Sequence, residues 1–168
     1  MAWTDLLMLA GFIAVCSCAA ASGAIFKPGD WYLGLAKPSW VPPMLAFPVV
    51  WTILYIMISI SGWMVWRKVG FEVGAVGFGI YLLQLVLNAA WSGLFFGMRR
   101  IDLAMIEVVV LWASVAALIV AFAPLDATAA WLLAPYLLWV TIAGVLNLSM
   151  LRLNPMTPPA VTQASSRV

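Results

Sequence analysis

The chain has 168 residues, of which 66% are hydrophobic and only 8% charged, with a mean hydropathy of +1.11. A soluble domain carries roughly a quarter charged residues, so this much apolar surface needs lipid as its solvent. A net charge of +2 without clustered basic residues excludes a nucleic-acid partner. The lack of histidine removes an imidazole base, a histidine-ligated haem and the common metal triads.

Hydropathy divides the chain into five apolar runs, each near the roughly 20 residues a helix needs to cross hydrocarbon. Barrel strands would be about half as long and would alternate. The first run, Leu6 to Ala24, ends in small residues, Ala19 to Ala24, that resemble a cleavage site, but Asp5 precedes it where a signal peptide carries lysine or arginine. It is predicted to be a retained span. Its two cysteines, Cys16 and Cys18, fall on different helical faces, which argues for packing rather than pairing or chelation.

The connection to the second span, Trp31-Tyr32-Leu33-Gly34-Leu35-Ala36-Lys37-Pro38-Ser39-Trp40-Val41-Pro42-Pro43, carries three large aromatics and three prolines. Proline fixes φ and restricts its predecessor, so this segment is stiff and does not continue a helix. An interfacial aromatic belt would explain its tryptophans. A lid over a cavity explains both the tryptophans and the interleaved prolines.

The second span, Ala46 to Trp66, opens with Phe47-Pro48-Val49-Val50-Trp51 and sets Trp51 about one turn below the lid. The third, Val73 to Met98, carries Gln84 and Asn88 on one face with Trp91 near the same stripe. Amides at membrane depth either hold a ligand's carbonyl or carboxylate or tie helices together, and the sequence leaves both open. The same span has small residues every fourth position, Ala89, Gly93 and Gly97. Such a ridge suits an internal helix contact or a homodimer face. A similar row on the first span is Ala14, Cys18 and Ser22.

Asp102 is placed to cap the fourth span, Leu103 to Ala123. Glu107, just inside that span, is expected to reach the interface or pair with Arg99 or Arg100, in preference to acting as a proton relay. The fifth span, Ala129 to Leu151, bends at Pro135 and presents Trp139, Ala143 and Asn147 at four-residue steps. Tryptophans on three spans beneath a rigid lid predict a flat, aromatic-lined pocket suited to planar ligands. From Asn154 onward a disordered tail is expected, leaving residues 1–153 as a single domain.

With five spans, Lys27, Lys37, Arg99, Arg100, Arg152 and Arg167 share one side against Arg67 and Lys68 on the other. The positive-inside rule then puts the lid and the C-terminus in the cytoplasm. No inverted repeat of the kind secondary transporters use is visible.

The lid segment matches W-Y-x-x-L-x-K-P-x-W-x-P-P, and the chain resembles the TspO/MBR family of tryptophan-rich sensory and translocator proteins. The likeness continues through Pro48 to Trp51, Gln84 to Asn88, Phe95-Phe96-Gly97, Pro135-Tyr136 with Trp139, and Leu146-Asn147. It implies an all-α integral membrane protein, a five-helix bundle that is often dimeric. The ligands it implies are porphyrins such as protoporphyrin IX and, in animals, cholesterol and benzodiazepine-site drugs. No cofactor is required.

By position, Trp51 and Asn88 match residues holding ligand polar groups. Trp139, Ala143 and Leu146 match the wall on span five, with Trp91 beside them, and Tyr32 and Trp40 match the lid. Some bacterial members are implicated in light-dependent breakdown of protoporphyrin IX through the equivalents of Tyr32, Trp51 and Trp139. Family members occur in both inner and outer membranes.

Two positions depart from the pattern. Leu45 stands where many relatives have tryptophan, and Leu148 stands where the animal sterol-linked pattern has tyrosine. The leading expectation is a porphyrin-binding sensor, regulator or carrier. Photo-oxidative porphyrin degradation and porphyrin or sterol transport are the alternatives.

Overall fold

A computed structural model describes residues 3–155 of the chain. Five helical spans cross in sequence. They are α1 (Trp3–Ile25), α3 (Ala46–Val73), α4 (Ala75–Ser92) extended by a π-helical turn (Gly93–Gly97), α5 (Ile101–Phe122), and the broken pair α6 (Ala127–Leu132) and α7 (Ala134–Leu153). A five-residue helix, α2 (Asp30–Gly34), lies in the lid connection. Each predicted span is found, with ends shifted by a few residues. The second span runs on past Trp66 to Gly70, where φ of +71° ends regular helix as only glycine does without strain. The fifth is divided near Leu133, with Pro135 in the first turn of α7, where its missing N–H costs nothing.

In lipid there is no hydrophobic force between helices, so close packing and interhelical hydrogen bonds hold the bundle. Helices α1 and α3 pair, α4 joins α1 to α5, and α5 packs on α7. Close approach depends on glycine at two points. A Cβ on Gly62 would lie 2.8 Å from the Phe12 ring and 2.9 Å from that of Tyr81, and one on Gly77 would lie 2.8 Å from Phe122. The resulting core runs through Leu54, Ile58, Val65, Leu85, Leu111, Val115, Leu118 and Leu133. Cys16 is buried in it, with Sγ 3.2 Å from the Tyr81 hydroxyl, while Cys18 is exposed on the other face.

Several local expectations are corrected. Asp102 does not cap α5; its carboxylate takes two bonds from Arg100, two residues back at the N-cap position, at 2.8 and 2.6 Å. The helix that does gain an acidic cap is α6, where Asp126 accepts from the Ala129 N–H at 3.0 Å. That bond, with Lys68 at 3.6 Å, holds the Asp126 carboxyl below its usual range. The small-residue ridge on α4 is used inside the chain: Phe26 covers Gly93 and Gly97, and a Cβ on Gly97 would fall 2.9 Å from its ring. Of that ridge, Ala89 and Gly93 are half-buried and Gly97 is exposed. The Ala14 and Cys18 positions on α1 do face outward.

Asn154 belongs to the bundle rather than to a tail. Residues 156–168, including Arg167 and most of the predicted disordered segment, lie outside the described residues.

Candidate functional site

The lid is held down by its own motif. Tyr32 is buried with its ring edge-on to Phe95 and Phe96, at 6.2 and 5.5 Å, and Trp31 meets Phe95 at 5.8 Å. Burial pushes the Tyr32 phenol above its ordinary range. Lys37 closes over that ring, its Nζ 4.7 Å from the centroid and donating to the Leu33 and Leu35 carbonyls at 3.1 Å each. The lysine of the motif thus serves as an internal brace. A second fastening comes from the far end of the chain. Asn154 accepts from the Ala36 N–H and donates to the Ala36 carbonyl, both at 2.9 Å, and also bonds the Met150 carbonyl at 2.9 Å. One side chain therefore ties the lid backbone to the last turn of α7.

Beneath the lid is a cavity of about 910 Å³. That is the upper end of the roughly 300–1,000 Å³ range of small-molecule sites. Of the sequence-predicted residues, Tyr32, Trp51, Asn88, Trp91, Trp139, Ala143 and Leu146 line it together. Trp40 does not: it is 46% exposed in a turn of the lid and is absent from the cavity wall. At the Leu45 departure the side chain is likewise exposed, and the neighbouring Met44 reaches the cavity instead. Leu148 does not line the cavity. Phe47, Tyr55, Phe95, Phe96 and Lys27 join the lining and were not singled out from sequence. An aromatic one turn from a predicted site tryptophan was the available signal for Phe47, Tyr55 and Phe95.

The aromatics form pairs rather than a single stack. Trp51 lies against Tyr55 at 5.5 Å and edge-on to Tyr136 at 6.0 Å. Phe47 meets Trp139 at 5.8 Å, and Trp91 stacks on Phe95 at 4.9 Å. Toward lipid the wall is incomplete. Ile13 and Ser17 of α1 and Thr52 and Ile56 of α3 line the cavity and are exposed.

The amides of α4, left open between ligand contact and helix contact, are engaged in the bundle. Tyr55 donates its hydroxyl to Asn88 Oδ1, Asn88 Nδ2 donates to the Tyr136 hydroxyl at 3.1 Å, and Tyr136 donates to Gln84 Oε1 at 2.9 Å. Gln84 Nε2 ends the chain on the Tyr81 carbonyl at 3.0 Å. Asn88 thus borders the cavity while its amide links α3, α4 and α7. Among the described residues, the buried polar atoms without a partner are Trp91 Nε1, Asn147 Oδ1 and both carboxyl oxygens of Glu107. The first two belong to cavity-lining residues.

Glu107 is a further correction. It is buried, and Arg100 is taken by Asp102, so the expected ion pair or interfacial position is not formed. An orphaned buried polar group destabilises its surroundings by about 1–3 kcal/mol. Glu107→Met, similar in length, is expected to raise stability by about 1 kcal/mol, read as a higher Tm of the purified protein. A lower Tm would mean that the carboxyl holds the bundle together.

The TspO/MBR family model matches residues 9–153, which takes in every span and the lid. The chain belongs to the TspO/MBR family. It is 43% identical over 156 residues to "Protein CrtK" of Rhodobacter capsulatus, covering 92% of this chain and 98% of that protein. It is 40% identical over 156 residues to the "Tryptophan-rich sensory protein" of Cereibacter sphaeroides, covering 93% and 97%. The human "Translocator protein" is 36% identical over 149 residues, covering 86% and 88%. Membership and the five apolar helices together make the chain an integral, multi-pass membrane protein of the TspO/MBR type.

Proposed function

We propose that this TspO/MBR protein binds porphyrins, protoporphyrin IX first among them, and acts as a sensor, regulator or carrier of tetrapyrrole level. The observation that carries this reading is the cavity of about 910 Å³ walled by tryptophans from three spans, Trp51, Trp91 and Trp139, under a lid held by Tyr32 and by the Ala36–Asn154 bonds. Flat aromatic surfaces favour a planar conjugated ligand, and the largely apolar wall suits a macrocycle with few polar groups. In the orientation favoured by the charge bias, the lid faces the cytoplasm.

Titration with protoporphyrin IX in the dark is expected to give saturable quenching of tryptophan fluorescence. Trp51→Ala should weaken binding about tenfold, the effect of removing one stacked ring. Affinity unchanged in both Trp51→Ala and Trp139→Ala removes this cavity as the site. Asn88→Ala is a poorer probe, because its amide is committed to the interhelical network.

A second reading is supported by the contacts of Trp51 with Tyr55 and Tyr136, which put three oxidisable rings together. Illuminated porphyrin, with dioxygen as oxidant, would then be degraded in the site. Protein-dependent new absorbance bands that disappear in Trp51→Phe support this enzyme-like role. Bleaching equal to that of free porphyrin in detergent removes it.

A further inference from the structure

The cavity has a charged edge that the porphyrin reading does not itself assign. Lys27 and Phe96 line the cavity and also a shallow depression beside the lid, whose other walls are Gly29, Asp30, Trp31 and Arg99. The depression therefore adjoins the cavity, with Lys27 and Phe96 as their shared wall. It holds two cations and one carboxylate. The ion pairs among the described residues are Lys68 with Asp126 and Arg100 with Asp102, so Lys27, Arg99 and Asp30 form none with each other. Both Lys27 and Arg99 are exposed. At the same end, by contrast, Lys37 is folded onto Tyr32 and lid carbonyls, and Arg100 is bound to Asp102. Lys27 and Arg99 are thus the cations at the mouth left available to a ligand. An extended lysine or arginine keeps its head in water while its stem lies on apolar surface. That arrangement suits a ligand whose body is in the cavity and whose acid group emerges.

We infer that Lys27 and Arg99 form a carboxylate-selecting mouth, which orients an amphipathic acid with its apolar body in the cavity and its carboxylate at the depression. This rests on the reading of the cavity as a porphyrin site and adds to it which way round the macrocycle lies: propionates outward, the other edge toward Trp51 and Trp139. Asp30 sets a limit, since its charge repels an anion unless both cations are present. The contacts are solvated, so their effect is modest and sensitive to salt.

The test compares protoporphyrin IX with its dimethyl ester, which keeps the ring and removes both charges. Binding is measured by fluorescence quenching in nanodiscs of phosphatidylcholine, so that no anionic headgroup competes. The wild type is expected to prefer the diacid by about fivefold at low ionic strength, with the preference shrinking as salt is added. The double variant Lys27→Gln/Arg99→Gln should bind diacid and ester alike, with ester affinity as in the wild type. Arg152→Gln, an exposed charge at the same end, should keep the preference. Adding phosphatidylglycerol should weaken diacid binding and leave the ester unchanged if headgroups compete for the same cations. Equal binding of diacid and ester by the wild type, or a preference that survives the double substitution, overturns the mouth and leaves the porphyrin site standing. Absence of saturable binding of either compound overturns both.

Discussion

Tyr136→Phe is expected to destabilise the bundle by about 2 kcal/mol, lowering Tm in detergent by roughly 5 °C. The change deletes one oxygen and no packing volume. It leaves Asn88 Nδ2 without an acceptor and Gln84 Oε1 without a donor, both in buried residues. In water-soluble cores two such orphans cost more. In a membrane the unfolded helices also find partners, and single interhelical bonds average only about 0.6 kcal/mol, which sets the lower figure. Tyr55→Phe removes a single donor to Asn88 and should cost about half as much. Equal Tm values for wild type and Tyr136→Phe would mean that the network adds nothing to stability and that Asn88 is free to serve a ligand.

Asn154→Ala is expected to loosen the lid without unfolding the spans. It removes three hydrogen bonds at 2.9 Å, two to Ala36 and one to Met150. At about 0.5–1.5 kcal/mol each and partly solvated, together they contribute about 2 kcal/mol, or roughly a 30-fold change in the opening equilibrium. Amide hydrogen exchange across residues 29–45 should accelerate by that factor while α3 and α5 are unaffected. Exchange in the lid unchanged from wild type would show that the aromatic contacts of Trp31 and Tyr32 suffice to close it.

What could be read from sequence follows from what each pattern depends on. Spans were legible because apolar length is dictated by bilayer thickness, which is the same for every helix. The lid was legible because proline acts on its own backbone, independent of context. Cavity residues at four-residue steps on the fifth span, Trp139, Ala143 and Asn147, were legible for a similar reason, whereas Leu146 came from the family likeness. Partner choice was not. Asn88 and Gln84 turned inward to tyrosines 33 to 52 residues away in the chain, a distance at which periodicity carries no information. Asp102 looked like a cap until the flexible Arg100 side chain claimed it. The spacing of Gly93 and Gly97 suits an inner or an outer contact alike, and nothing within a span shows that Phe26, just beyond the end of α1, packs on them. Asn154 was assigned to a tail by its proline-rich surroundings, while its role is set by Ala36, 118 residues earlier.

The exposure of the cavity-lining Ser17 and Thr52 makes the bilayer itself a reagent. An acyl chain that entered the cavity there would be a competitor at high local concentration. Affinities measured in micelles and in membranes are then ratios against different solvents. A short-chain detergent and a long-chain lipid should give different apparent Kd values for the same porphyrin, while the ratio between wild type and a cavity variant stays nearly constant. Selectivity in such a site is a matter of displacing lipid, and rigid planar molecules have an advantage there because they lose less conformational freedom on entry than a flexible chain does.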